Sequence, residues 1–285
     1  MSDTSAPAKQ AGTMDELTTG WDCFWFASGD NLPLQRLRLV AGLSALVYFL
    51  AWTPDVGDWL APGGSLSARA VSELAGTPIA RLLLNEGPYA VVPWIGAALA
   101  AVWMTGWQAR WLAGGVLICI LSLVHRAPML AAPTSALLCP LAFYLAFAPH
   151  GRQCVQNSLA GFCLRLIQVH CAAILLVSGL QQLGGSAAWW NGEAFWWLVA
   201  HEPQRMVDWS WMARRPILLD LGTHFAAAFP VLGGALVLTP VRPLVLGASI
   251  PYCLLMGIIT ADLLYYALLL GTLWAAFSKS PRHAS

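Results

Sequence analysis

The chain has 285 residues, 58% of them apolar and only 10% charged, with a formal net charge of +1 and a mean hydropathy of +0.63. An ordinary soluble domain carries about 25% charged residues, so this composition marks a polytopic membrane protein and excludes a soluble globular one. With no basic tract in the chain, nothing points to a nucleic-acid partner.

Residues 1–20 are rich in Ser, Thr, Ala and Asp and lack an apolar core, so they read as a disordered cytosolic tail and not as a signal peptide. The following WDCFWF, 21–26, is aromatic and amphipathic and is expected to lie in the membrane interface. Hydrophobic spans are predicted at 36–53, 88–105, 109–125, 130–149, 159–183, 218–239, 243–259 and 261–277. The last two are short, and Asp262 between them marks either a turn between two spans or a broken helix. The fold class is therefore an all-α bundle of seven or eight transmembrane helices, with one domain over 21–277 and a short tail at 278–285. Two long connections interrupt it, 54–87 and 184–217. If the N-terminus is inside, nine basic residues fall on the inner side and six on the outer, over longer outer loops. That bias predicts a cytosolic N-terminus, and the expected location is a bacterial cytoplasmic membrane.

The fifth span is the most informative. It carries Arg165, Gln168, His170, Gln181 and Gln182, and polar side chains at membrane depth are costly enough to be functional candidates. At about 100° per residue, Gln168 and Gln182 share one stripe with Ser178 and Gly179, while His170 and Gln181 share another. Two polar stripes predict a helix enclosed by protein, and the small residues predict close approach of a neighbour. Six of the fifteen tryptophans follow in one connection: Trp189, Trp190, Trp196, Trp197, Trp209 and Trp211. A short interfacial helix is predicted at 193–202, with an aromatic face of Phe195, Trp196 and Trp197.

The chemistry-bearing residues leave alternatives open. Gln168 and His170 either hydrogen-bond a quinone or lipid headgroup, or bind each other and facing helices. Arg165 either binds phosphate or snorkels to the interface. Arg126 either forms a headgroup site or pairs with Asp208, Glu193 or Glu202. Glu193, His201 and Glu202 offer an acid and a base but no nucleophile beside them. His224 is read as a core histidine, and Asp262 as a cation ligand or a helix terminator. The seven cysteines lie mostly inside hydrophobic segments, with no Cys-x-x-Cys and no metal-ligand spacing, so neither a disulfide framework nor a metal site is expected. Of the fifteen basic residues only Lys9 and Lys279 are lysines, so no lysine can act inside the bundle.

Several segments in order resemble the horizontally transferred transmembrane (HTTM) domain, the membrane part of the vitamin K-dependent gamma-carboxylase superfamily. They are WDCFWF at 21–26, LRLVAG at 37–42 with Tyr48, WT at 52–53, WLAPG at 59–63 and Arg126. LRLIQVH at 164–170, SGL at 178–180, WNGEA at 190–194 and RPL at 242–244 complete the set, which spans roughly 21–277. The resemblance implies a helical membrane enzyme fold in which a reduced quinone is oxygenated and the base so formed abstracts a glutamate γ-proton. The family's initiating lysine precedes the Trp-x-Gly turn, and here Gln181 and Gln182 occupy both candidate positions. A neutral amide cannot replace an amine as base. A relocated base would have to be His170, His125 or His224. Relatives also carry a glutamate after the segment matching GTHF at 222–225 and a histidine near that matching PYC at 251–253; neither is found here.

Three functions follow. The first is a structural or scaffold subunit of a membrane complex, without carboxylase activity and with membrane protein partners. The second is a lipid- or quinone-handling enzyme using histidines, and the third a non-catalytic lipid- or cofactor-binding protein. The catalytic candidates are His170, Gln182 and His224. The candidate ligand-binding residues are Gln168, His170, Arg126 and Arg165, and a lipid or quinone is the only ligand implied.

Overall fold

The computed structural model describes residues 19–29, 31–60, 89–127, 132–149, 157–200 and 206–278. Every regular element in them is helical. A short helix, α1 (19–26), precedes α2 (Asn31–Trp52) and a single turn, α3 (Val56–Trp59). Then come α4 (Val92–Met104, entered through a 3₁₀ turn at Tyr89–Val91), α5 (Ala109–Arg126), α6 (Pro133–Phe147) and α7 (Ser158–Gly185). Two short helices follow, α8 (Ala187–Trp190) and α9 (Ala194–Ala200). The chain ends in α10 (Pro216–Leu236), α11 (Arg242–Ile259) and α12 (Leu263–Phe277).

Five of these helices, α2, α5, α7, α10 and α11, are long and apolar enough to cross a membrane, and Tyr89–Met104, α6 and α12 are shorter apolar helices. They coincide with the expected spans. The main difference is that α2 begins at Asn31 and not at 36. Hydropathy discounts Arg36 and Arg38, yet the helix keeps both by giving them places inside the bundle. The tails at 1–18 and 279–285, most of the 54–87 connection, His201, Glu202 and Arg205 lie outside the described residues.

Local chemistry sets the helix ends. Proline at the first or second position opens α4, α6, α10 and α11, where its missing N–H costs nothing. Asn157 caps α7 by accepting from Leu159 N at 2.8 Å. The α4–α5 turn needs the left-handed conformation at Gly106 (φ 82°) and Gln108 (φ 43°). Between α11 and α12 the chain reverses through Ala261 (φ 58°), and the two helices pack side by side. The 243–277 region is therefore two helices.

The helices alternate in direction. Arg36 Nη1 donates to Ser278 Oγ at 3.1 Å, Arg110 Nε donates to the Ala148 carbonyl at 3.3 Å, and Gly29 pairs with Asn157. These contacts gather the start of α2, the end of α6, the start of α7 and the end of α12 at one end of the bundle, here the proximal end. Residues 52–60, 126–127, 132–133, 185–200, 206–216 and 260–262 lie at the distal end.

Packing follows a membrane pattern. On α2, Leu37, Ala41, Ala45 and Phe49 recur four residues apart and are buried, while Leu39, Leu43, Val47 and Leu50 are exposed on the other side. A helix apolar all round, its exposed residues as greasy as its buried ones, belongs in lipid. Lipid leaves little hydrophobic drive between helices, so close backbone approach through small residues holds them together. The extensive α7–α10 contact shows this: a Cβ added at Gly234 would stand 2.5 Å from Leu176 N, and one at Gly179 would stand 2.7 Å from Val231 N.

Candidate functional site

Helix α7 borders α2, α6, α10 and α12, so it has protein on most sides, as its two polar stripes imply. Its stripes face different neighbours. Gln168, 5% exposed, donates from Nε2 to the Ala276 carbonyl of α12 at 2.7 Å, and its Oε1 accepts from Arg165 Nη1 at 2.9 Å. The Arg165 guanidinium lies 5.0 Å from the centre of the Phe24 ring of α1. That aromatic helix also sets Trp25 and Phe26 against Phe162, which anchors it on the first turns of α7. His170 points elsewhere: its Nδ1 lies 3.3 Å from the Tyr144 hydroxyl of α6.

The remaining candidates are far from this group. Gln182 stands fourteen residues beyond Gln168, about 21 Å along the axis at 1.5 Å per residue. It is half-buried, with Oε1 enclosed and without a hydrogen-bond partner, whereas Gln181 is exposed. Arg126 is buried at the distal end of α5, its guanidinium 5.1 Å from the Tyr89 ring centre. Of the partners expected for it, Asp208 accepts from Ser210 N at 2.9 Å, Glu193 is exposed on the groove beside Trp196, and Glu202 is outside the described residues. The arrangement thus joins Arg165 with Gln168 and leaves His170, Gln182, Arg126 and His224 apart. Among the described residues, no three His, Cys, Asp or Glu side chains gather as metal ligands.

Two expectations need correction. His224 is not a core histidine: it is exposed on α10, with Nδ1 2.9 Å from the Asp220 carbonyl and 3.3 Å from the Asp220 carboxylate. The buried face of α10 runs through Thr223, Ala226, Ala227, Phe229 and Pro230, and His224 falls outside it. The expected 193–202 helix is seen over Ala194–Ala200, with residues 201 and 202 outside the described residues, and its aromatic residues do not share a face. Phe195 is buried against Gly222 of α10, Trp196 is half-buried and Trp197 is exposed.

What docks this segment was not foreseen. The Thr223 hydroxyl accepts from Phe195 N at 3.0 Å and shares its proton between the carbonyls of Gly192 (2.8 Å) and Leu219 (2.9 Å). Gly192 has φ 78° and lies so close to Asp220 that a Cβ would clash with its carboxylate. None of the six tryptophans is fully buried. Trp196 and Trp197 line an open groove of about 770 Å³ with Glu193, Ile217 and Asp220. At the same end Asp262 is half-buried in the α11–α12 turn, and burial holds its carboxyl above the usual carboxylate value.

The fold and these contacts define the class: an all-α protein of closely packed apolar helices of membrane-spanning length, with its polar side chains dispersed between them. No family model matches the chain, and no curated protein or solved structure matches it.

Proposed function

We propose that the chain is a membrane protein of HTTM architecture, with eight spans, that works without carboxylase chemistry as a structural or scaffold subunit of a membrane complex. One observation carries this reading: the polar groups in the first turns of α7, Arg165 and Gln168, are spent between helices. Arg165 and Gln168 tie α7 to α12 and α1 instead of pointing at a common cavity. Gln181 and Gln182, where the resemblance puts the reactive amine, are neutral amides at the distal end. The surface offered to a partner is the distal groove around Trp196 and Trp197, with Trp190 and Trp211 exposed at the same end. Aromatic residues of this kind dominate interface energetics, at roughly 2 kcal/mol or more for a hot spot.

The test is the native mass of the detergent-extracted protein. We expect a particle heavier than one 30.6 kDa chain, which the Trp196→Ala/Trp197→Ala double variant reduces to a single folded chain. A wild-type particle of one chain overturns the subunit reading. The His170–Tyr144 pair favours a second reading, a quinone-handling enzyme, because a histidine beside a phenol can relay a proton. Supplied with reduced quinone, oxygen, carbon dioxide and a glutamyl peptide, the protein should give no carboxylated product. Product that disappears in His170→Ala establishes the second reading.

A further inference from the structure

At the proximal end, three arginines have partners in the bundle: Arg36 on Ser278, Arg110 on Ala148 and Arg165 on Gln168. Arg38 differs. It is 6% exposed, its Nε is enclosed without a hydrogen-bond partner, and its guanidinium makes no hydrogen bond or ion pair among the described residues. Its terminal nitrogens are not enclosed in the same way, so the head of this otherwise buried side chain reaches outward. An arginine this enclosed, with no counter-charge among the described residues, is costly unless a partner reaches it. It also faces an opening. A cleft of about 340 Å³, within the size range of small-ligand sites, is lined by Gln35, Arg38, Leu39, Thr105, Gly106 and Trp107. Arg38 Nη1 stands 3.4 Å from where a Gly106 Cβ would be, so the guanidinium lies against the one residue of the turn that has no side chain.

We propose that this cleft between α2 and the α4–α5 turn holds the phosphate of an anionic phospholipid, with Arg38 as its ligand. The planar fork of guanidinium donors matches phosphate oxygens. The surroundings select a lipid as the source of that phosphate. Leu39 (52% exposed) and Leu43 continue from the cleft along α2 as an apolar stripe for an acyl chain, and Trp107 (67% exposed) lines the cleft beside it. Arg38 lies about 10 Å along α2 from Asn31, level with the turn that ends α4 at the boundary of the bundle. Basic pockets between helices at that level recognise anionic headgroups.

The experiment follows the melting temperature and bound-lipid mass of the full chain in detergent, titrated with phosphatidylglycerol, phosphatidylcholine or inorganic phosphate. Wild-type protein should be stabilised by phosphatidylglycerol and not by the other two. Arg38→Gln should weaken that response about tenfold, the loss of one charge-assisted contact, and Arg38→Lys should restore it in part. Should Arg38→Gln not fold, Thr105→Phe fills the cleft from the turn with Arg38 in place and should abolish the response. An undiminished response in these variants, or none in the wild type, overturns the proposal. Stabilisation by inorganic phosphate equal to that by phosphatidylglycerol, lost in Arg38→Gln, overturns the lipid as its source.

Discussion

Gly234 and Asp262 are two residues whose energetics can be argued singly. A Cβ at Gly234 would meet Leu176 N at 2.5 Å and the Ala172 carbonyl at 2.6 Å, both backbone atoms of α7 that cannot swing aside. Gly234→Ala should therefore lower stability in detergent by about 1–3 kcal/mol, the usual cost of overpacking. Gly247→Ala is the control. Nothing lies within 4 Å of its added methyl, and helix propensity alone should stabilise it by about 1 kcal/mol or leave it unchanged. Equal losses at both sites would show that α7 and α10 do not touch at Gly234. Asp262 is a matter of pH. Burial raises its carboxyl above the ordinary 3.8, so the fold favours the protonated form and ionisation costs stability. The penalty is absent below the unfolded value, sets in as pH rises through the folded value, and persists at neutrality. Asp262→Asn should thus melt higher than wild type at pH 7, with the gap closing as pH falls towards 4. A gap independent of pH would exclude the mechanism.

Among the elements, the tryptophan segment shows how one hydroxyl can seat a connection. Gly192, Phe195 and Leu219 all meet at Thr223, and Phe195 is the only large side chain of α9 that enters the core completely. Thr223→Val keeps the shape and removes the partner of a buried N–H, which costs about 1–3 kcal/mol. The loss should be local: amide exchange over 192–200 should accelerate while α2, α4 and α5 keep their protection. Protection that falls uniformly would make Thr223 a global support instead. A dense tryptophan count announces an interfacial segment from sequence, but nothing in that count says which ring turns inward. That choice falls to Phe195 because Gly222 opens a space on α10 opposite it.

For the whole molecule, charge divides between the ends. Among the described residues the proximal end holds Arg36, Arg38, Arg110, Arg165 and Arg242 against Asp22. The distal end holds Arg126, Arg214 and Arg215 against Asp55, Asp58, Glu193, Asp208, Asp220 and Asp262. Basic residues are retained on the cytoplasmic side, which favours a cytosolic proximal end. Cys23 is exposed at that end and Ser186 at the other. In a background with Cys23 as the sole cysteine, an impermeant maleimide should leave intact cells unlabelled. With Ser186→Cys as the sole cysteine it should label them, and the reverse pattern inverts the topology.

The sequence by itself determined the bundle. Apolar runs long enough for a bilayer are local in the chain, and proline, glycine and Asp262 punctuate them, so every apolar helix was legible and the start of α2 was the largest displacement. The polar stripes of α7 were legible too, because the helical period alone spaces Gln168 from His170. What each stripe touches was decided by tertiary structure. Gln168 reaches Ala276, more than a hundred residues away in sequence, and His170 reaches Tyr144. Arg36 and Arg38 are two residues apart and look alike in sequence, yet one meets Ser278 and the other faces a cleft made by the α4–α5 turn. Two residues along a helix turn a side chain through about 200°, and only the neighbouring helices decide whether a hydroxyl or an opening waits there.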